Sequence, residues 1–154
     1  MIEQLSDQVF YGDVDAIKQS PRPFRSLINV AHNLRRHYWN AAGSLPHDIW
    51  TMRAALPDAT YAPPSHLEAI LRFADEAVRN DKAPILCHCR MGGHRGPSTA
   101  LLVHWHLSGR NLEVFENTLA QLRSVSRCTE NKRRRLYQES VFDYCRQNSI
   151  ACQK

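Results

Sequence analysis

The residues in this 154-residue sequence best placed to do chemistry are Cys89 and Arg95, with five residues between them in the stretch ILCHCRMGGHRGPSTA. A cysteine at the end of an apolar strand, a glycine-containing loop and an arginine just before a helix form an anion trap. Consecutive backbone N–H groups across Arg90, Met91, Gly92, Gly93 and His94 make a concave nest, and the helix start adds partial positive charge. Gly92 and Gly93 let the backbone approach the anion closely. Arg95 can close the site with a bidentate fork on two phosphate oxygens. The same setting favours the thiolate of Cys89, a nucleophile that can form a phosphocysteine. The plainer readings are a buried core thiol for Cys89 and a solvated helix start for Arg95. The second is weak, because arginine at a helix N-terminus opposes the helix dipole unless an anion is present.

The elements that must position this loop are legible around it. Apolar runs bounded by turn residues predict strands at 8–11, 26–31, 49–53 and 83–88. SLINVA and PILC are short and mostly apolar, as in strands buried on both faces. Residues 65–79 predict a helix: Pro63-Pro64 stop what precedes it, and Ser65 with Glu68 makes a capping-box pattern. Leu67, Ile70, Leu71, Ala74 and Val78 share one face. A second helix is expected from Gly96-Pro97, with proline at its first position, through Leu101, Leu102 and Trp105 to a stop at Gly109. Two more are expected at 112–123 and 131–146. Strands separated by helices, then a helical tail, predict one α/β domain over 1–154, with a central, mostly parallel twisted sheet flanked by helices.

Composition sets the outer bounds. A hydrophobic fraction of 43% with 23% charged residues is that of an ordinary globular chain. No apolar run reaches bilayer-spanning length. MIEQLSDQVF lacks the basic start and apolar stretch of a secretory signal, which predicts a cytoplasmic protein. Five cysteines, an odd number, fit free thiols better than a disulfide framework. A net charge of +5 favours an anionic partner or substrate. Phosphorylated proteins, phosphorylated small molecules and nucleic acid all satisfy it, nucleic acid being the less favoured.

His88 through Arg95 resembles the signature loop of the protein tyrosine phosphatase superfamily, in its small dual-specificity form. The resemblance extends to VFYGD at 9–13, LINVA at 27–31 and Leu56-Pro57-Asp58, which is similar to the family's Trp-Pro-Asp acid loop. It implies a two-step reaction without metal or other cofactor on a phosphorylated protein or another phosphomonoester. Cys89 attacks phosphorus while Asp58 protonates the leaving oxygen; Asp58 then serves as base for the hydrolytic water. His88 orients the loop and helps to favour the thiolate. Asn131 falls near a family asparagine. The family carries Ser or Thr directly after the arginine, as a hydroxyl for the departing thiolate; this sequence has Gly96, leaving Ser98 or Thr99 to supply one.

Other assignments compete. Asp58 could be a turn residue, with Asp48 as reserve acid. His88 could be a satisfied strand-end histidine, His94 part of the pocket rim, and Arg90 a solvent-facing selector of acidic substrates. Lys132-Arg133-Arg134-Arg135 reads as a solvated helix face or as a reader of polyanions. Cys128 or Cys145 could approach Cys89 and protect it from over-oxidation. A metal site built on Cys87, His88, Cys89 and His94 is disfavoured, because neighbouring strand residues face opposite ways. Beside a protein phosphatase stand a phosphatase of RNA 5′ ends or inositol phosphates, and a non-catalytic phosphate-binding module.

Overall fold

The structure, a computed structural model, describes residues 2–31, 48–56, 60–89, 95–125 and 135–150. Five strands form one sheet: β1 (Ile2–Gln4), β2 (Val9–Gly12), β3 (Ser26–Asn29), β4 (Trp50–Arg53) and β5 (Ile85–His88). Their order is β1-β2-β5-β3-β4. β1 runs antiparallel to β2, and every other pairing is parallel. The four expected strands are present: β2 is shifted one residue onward, and the other three are trimmed by one or two residues at one end. β1 was not foreseen, since IEQ is too short and polar to show a strand period.

The described helices are α1 (Pro64–Arg79), α2 (Arg95–Leu107), α3 (Leu112–Val125) and α4 (Arg135–Asn148). Side chains alternate across the sheet as the pleat requires. Val9, Tyr11, Ile28, Ile85 and Cys87 pack with the helices, whereas Leu27 and Leu86 pack on the opposite face with Ile17 and Phe24. That second face is covered by a 3-10 turn at Val14–Lys18, begun by the Asp13 side chain accepting from the Asp15 N–H. Thus the described helices all lie on one face.

α2 is buried along almost its whole length. It rests on β2 and β5 and is enclosed by α1, α3 and α4, which explains why its apolar residues go all round rather than forming a stripe. It ends as expected near Gly109, whose φ of 85° suits glycine.

The start of α1 differs from expectation. Pro63 is the cap and makes no side-chain cap bond, while Pro64 takes the first position. Ser65 therefore falls inside the first turn, where it cannot act as a cap. Ala77 rather than Val78 completes the buried face. Asn131 and residues 132–134 lie outside the described residues, so the start expected for the last helix is not among them.

Candidate active site

Parallel strands ending together leave a crevice at their carboxyl ends, the usual place for ligands in such sheets. Register sets Gly12, Asn29, Arg53 and His88 level at that end. Cys89 continues β5, the middle strand, and its N–H donates to the Gly12 carbonyl at 3.3 Å. On the other side, the Val30 N–H donates to the His88 carbonyl at 3.0 Å. The cysteine is thus fixed by both neighbouring strands and is buried.

Arg95 opens α2 and is itself buried. Its Nη1 donates to the Leu56 carbonyl at 2.7 Å and to the Val30 carbonyl at 3.3 Å. One guanidinium nitrogen therefore links the ends of β3 and of the segment after β4. Leu56 stands two residues before Asp58. Asp58, Arg90, Met91, Gly92, Gly93 and His94 lie outside the described residues, as does Cys128.

Asp48 is excluded as the reserve acid. Trp50, Ser26 and Ile85 share a level at the opposite end of the sheet, and the Asp48 carbonyl accepts from Lys82 Nζ there at 2.9 Å. At ~3.3 Å per strand residue, the four residues from Ile85 to Cys89 put that level about 13 Å from Cys89.

Gly96 sits in a close approach. A Cβ there would lie 3.2 Å from the Gly12 carbonyl oxygen, 3.3 Å from that of Cys87 and 3.3 Å from the Cys89 nitrogen. All three are backbone atoms held in or beside the sheet ladder, so they have little room to give. Glycine lets the helix start nestle against β2 and β5. Thr99, one of the two hydroxyls expected near the thiolate, is committed elsewhere: it donates to the Arg95 carbonyl at 2.8 Å. Its single hydrogen is spent there. Ser98 is buried in the same turn.

Three features of the site carry no sequence signal: the carbonyls of Val30 and Leu56 as anchors for Arg95, and Tyr137 from α4. The Tyr137 hydroxyl lies 2.7 Å from Thr99 Oγ1, fully buried, and burial pushes its pKa up.

His88 is buried, and this desolvation lowers its pKa to about 4, against a hydrogen bond to the Cys89 backbone and the Asp13 carboxylate, which both pull upward. The ring is neutral at pH 7. Its influence on the neighbouring cysteine is therefore geometric rather than through a formal charge. In the unfolded chain the ring takes up a proton near pH ~6.5. Between there and about 4 the unfolded state binds more protons, so stability falls as pH drops through that window, by about 3 kcal/mol. His88→Gln is expected to remove that part of the acid sensitivity. Urea unfolding of both proteins at neutral pH and near the lower limit checks it; equal acid losses would contradict the assignment.

The other two described thiols, Cys87 and Cys145, are spectators. Burial raises the pKa of Cys87 and Cys145 far above the ordinary thiol value. Cys145 belongs to the far end of α2: its carbonyl accepts from Ser149, whose hydroxyl oxygen accepts from Trp105 Nε1. Trp105 is ten residues beyond Arg95, about 15 Å along the helix. That distance removes Cys145 as a redox partner of Cys89. The metal reading draws on His94, outside the described residues; among the described residues no three His, Cys, Asp or Glu side chains are grouped to hold an ion.

No protein-family model and no curated protein matches the sequence. Solved structures do. Tk-PTP in its active form is 17% identical, with a TM-score of 0.68 over 96% of this chain and 97% of that one. Human DUSP28 is 16% identical, with a TM-score of 0.69 over 95% and 93%. PTPMT1 in complex with PI(5)P is 12% identical, with a TM-score of 0.61 over 96% and 99%. The chain has the α/β fold of the tyrosine and dual-specificity phosphatases, matched along nearly its whole length. No described helix is long and apolar enough to cross a membrane.

Proposed function

We propose that the chain is a cysteine-dependent phosphatase of phosphomonoesters, most simply a protein tyrosine or dual-specificity phosphatase. The observation that carries this is the joining of Cys89, at the tip of the central strand, to Arg95, six residues later at the start of α2, with the arginine bound to the Leu56 carbonyl. In the first step the Cys89 thiolate attacks phosphorus. An S–P bond forms, the P–O ester bond breaks, and Asp58 gives its proton to the leaving oxygen. In the second, water attacks phosphorus, Asp58 takes a proton from it, the S–P bond breaks and the thiolate returns. Arg95 and the N–H groups of loop 90–94 carry the phosphate charge throughout. Asp58 is two residues from Leu56, so its Cα is at most ~7 Å from that of Leu56 in any conformation.

Gly96 bears on the second step. With no hydroxyl at that position and Thr99 committed to Arg95, Ser98 is the hydroxyl left in that turn, and departure of the thiolate is expected to be the slower half of the cycle. A small aryl phosphate in the presence of chelator is expected to release one equivalent of phenol in a burst, then more slowly. Acid quenching in the burst is expected to trap phosphate on Cys89. Chelator-sensitive turnover, or turnover without phosphate on Cys89, would overturn the mechanism. Bound tungstate with no turnover at all would identify a phosphate-binding module. The likeness to PTPMT1 bound to PI(5)P and the net positive charge support a phosphoinositide as the alternative substrate. Relative kcat/KM on phosphopeptides and phosphoinositides decides between the two.

A further inference from the structure

A second concavity lies outside the phosphate crevice, where the segment before α1, the start of α1 and the later turns of α4 meet. Its volume is about 270 Å³. That is a little under the ~300 Å³ at which small-molecule sites begin, so it suits one side chain rather than a whole cofactor. Ala62, Leu67 and Tyr144 are buried and form an apolar base. Ser140 lies beside them with its hydroxyl already spent: Oγ accepts from the Ala62 N–H at 2.6 Å and donates to the Leu136 carbonyl at 2.7 Å. The walls are charged, with Glu68 on α1 and Asp143 on α4. Asp143 Oδ2 accepts from the Tyr61 hydroxyl at 2.8 Å. Neither carboxylate is ion-paired with a cation among the described residues. Arg146, on the same helix as Asp143, is turned away to Glu116, at 2.8 and 3.2 Å. Asn148 Nδ2 donates to the Tyr144 carbonyl at 2.8 Å, which leaves its amide oxygen as a further acceptor.

In a chain of net charge +5, this pocket has the opposite sign: among the described residues no Lys, Arg or His lines it. The Tyr61 hydroxyl registers that field. Burial raises its pKa first, and its bond to Asp143 and the charges of Asp143 and Glu139 raise it further. We propose that the pocket binds the arginine side chain of a protein partner. The alkyl stem lies along Leu67 and Tyr144 while the charged head stays at the mouth. The planar guanidinium spans Glu68 and Asp143, which stand on different elements and so present acceptors in more than one direction. Tyr61, 45% exposed, offers a ring face to the same group. Lysine carries its charge at one point and serves one wall at a time. A free arginine would bring its own carboxylate towards those acids, whereas an arginine within a chain has none, which favours a protein as the source. No residue of the pocket belongs to the crevice of Cys89 and Arg95, so the site stands independently of the phosphatase reading.

The test is an NMR titration of the isotope-labelled full chain with the blocked tripeptide acetyl-Gly-Arg-Gly-amide. Its citrulline and lysine counterparts, and the same arginine tripeptide with a free carboxylate end, are run beside it. Saturable shifts are expected at the amides of Ala62, Leu67 and Tyr144 with the blocked arginine peptide. Citrulline, which keeps the shape and loses the charge, is expected to bind about 10-fold more weakly. Lysine and the free-carboxylate peptide are each expected to bind about 3-fold more weakly. Glu68→Gln and Asp143→Asn are each expected to weaken arginine binding by about 3- to 5-fold, the range of exposed ion pairs, and high salt is expected to act in the same direction. Both residues are exposed, so the variants are expected to unfold at the wild-type temperature; Glu68→Gln also leaves the Tyr61 bond to Asp143 in place. Equal affinity for citrulline, or unchanged affinity in the double variant, would overturn the site. Lysine bound as tightly as arginine would overturn the guanidinium, and the free-carboxylate peptide bound as tightly would overturn the protein partner. No saturable shift up to about 10 mM peptide would overturn the proposal outright.

Discussion

Cys89→Ser is expected to bring turnover down to background, a loss of about 10^5-fold or more, since removal of a nucleophile leaves only binding and electrostatics. The serine oxygen matches the thiol in shape and keeps the backbone bond of residue 89 to Gly12, but its hydroxyl is not ionised near neutral pH. The site that remains is the anion trap alone. Tungstate, which mimics phosphate without needing a covalent bond, is therefore expected to bind the variant within about tenfold of wild type. Thermal unfolding is expected to shift little, because residue 89 stays at the buried end of β5. Steady-state assay and calorimetric titration check both halves. Residual activity above about a hundredth of wild type would show that another residue carries the phosphate.

Arg95→Lys ranks second, with an expected fall in kcat/KM of about 10^3-fold. Charge is preserved, so the loss measures geometry. The guanidinium binds the Leu56 and Val30 carbonyls through a single nitrogen, and its planar fork can grip two phosphate oxygens with the rest. An ammonium group has three donors at one point. It can keep the carbonyls or approach the phosphate, but cannot reproduce both. Tungstate affinity is expected to fall alongside the rate, and the Leu56 anchor beside the acid loop is lost as well. A lysine variant within tenfold of wild type in both measurements would mean that the fork is not used.

Cys89 and Arg95 stand out from the chain as candidates because every cue to them is local. An apolar run ends at Cys89, glycines follow, and a proline marks the helix that Arg95 opens. The sheet is legible for the same reason, since its parallel strands are short apolar runs between turn residues. Cues that depend on exclusion by a neighbour misled: Ser65 and Glu68 have the spacing of a capping box, but Pro64 already occupies the first helical position. Asp48 has the composition of a turn acid, and only the strand register places it at the wrong end of the sheet. Tyr137, Ser140 and Asp143 are beyond sequence reading because their partners lie some 40 to 80 positions away. A tyrosine or serine on a helix has no pattern that announces a bond across the domain. Gly96 was legible as a departure from the family loop, but its contacts with Gly12, Cys87 and Cys89 needed the packed helix.

The central position of β5 has a consequence for how the molecule opens. Its amides and carbonyls are engaged with strands on both sides, so they exchange with solvent only when the whole sheet comes apart. β4, paired with β3 at the rim of the described sheet, can open in smaller events that leave the centre intact. Cys89, the proposed nucleophile, is thus mounted at the end of the last strand to unfold. A partial opening at the rim therefore leaves Cys89 in its place.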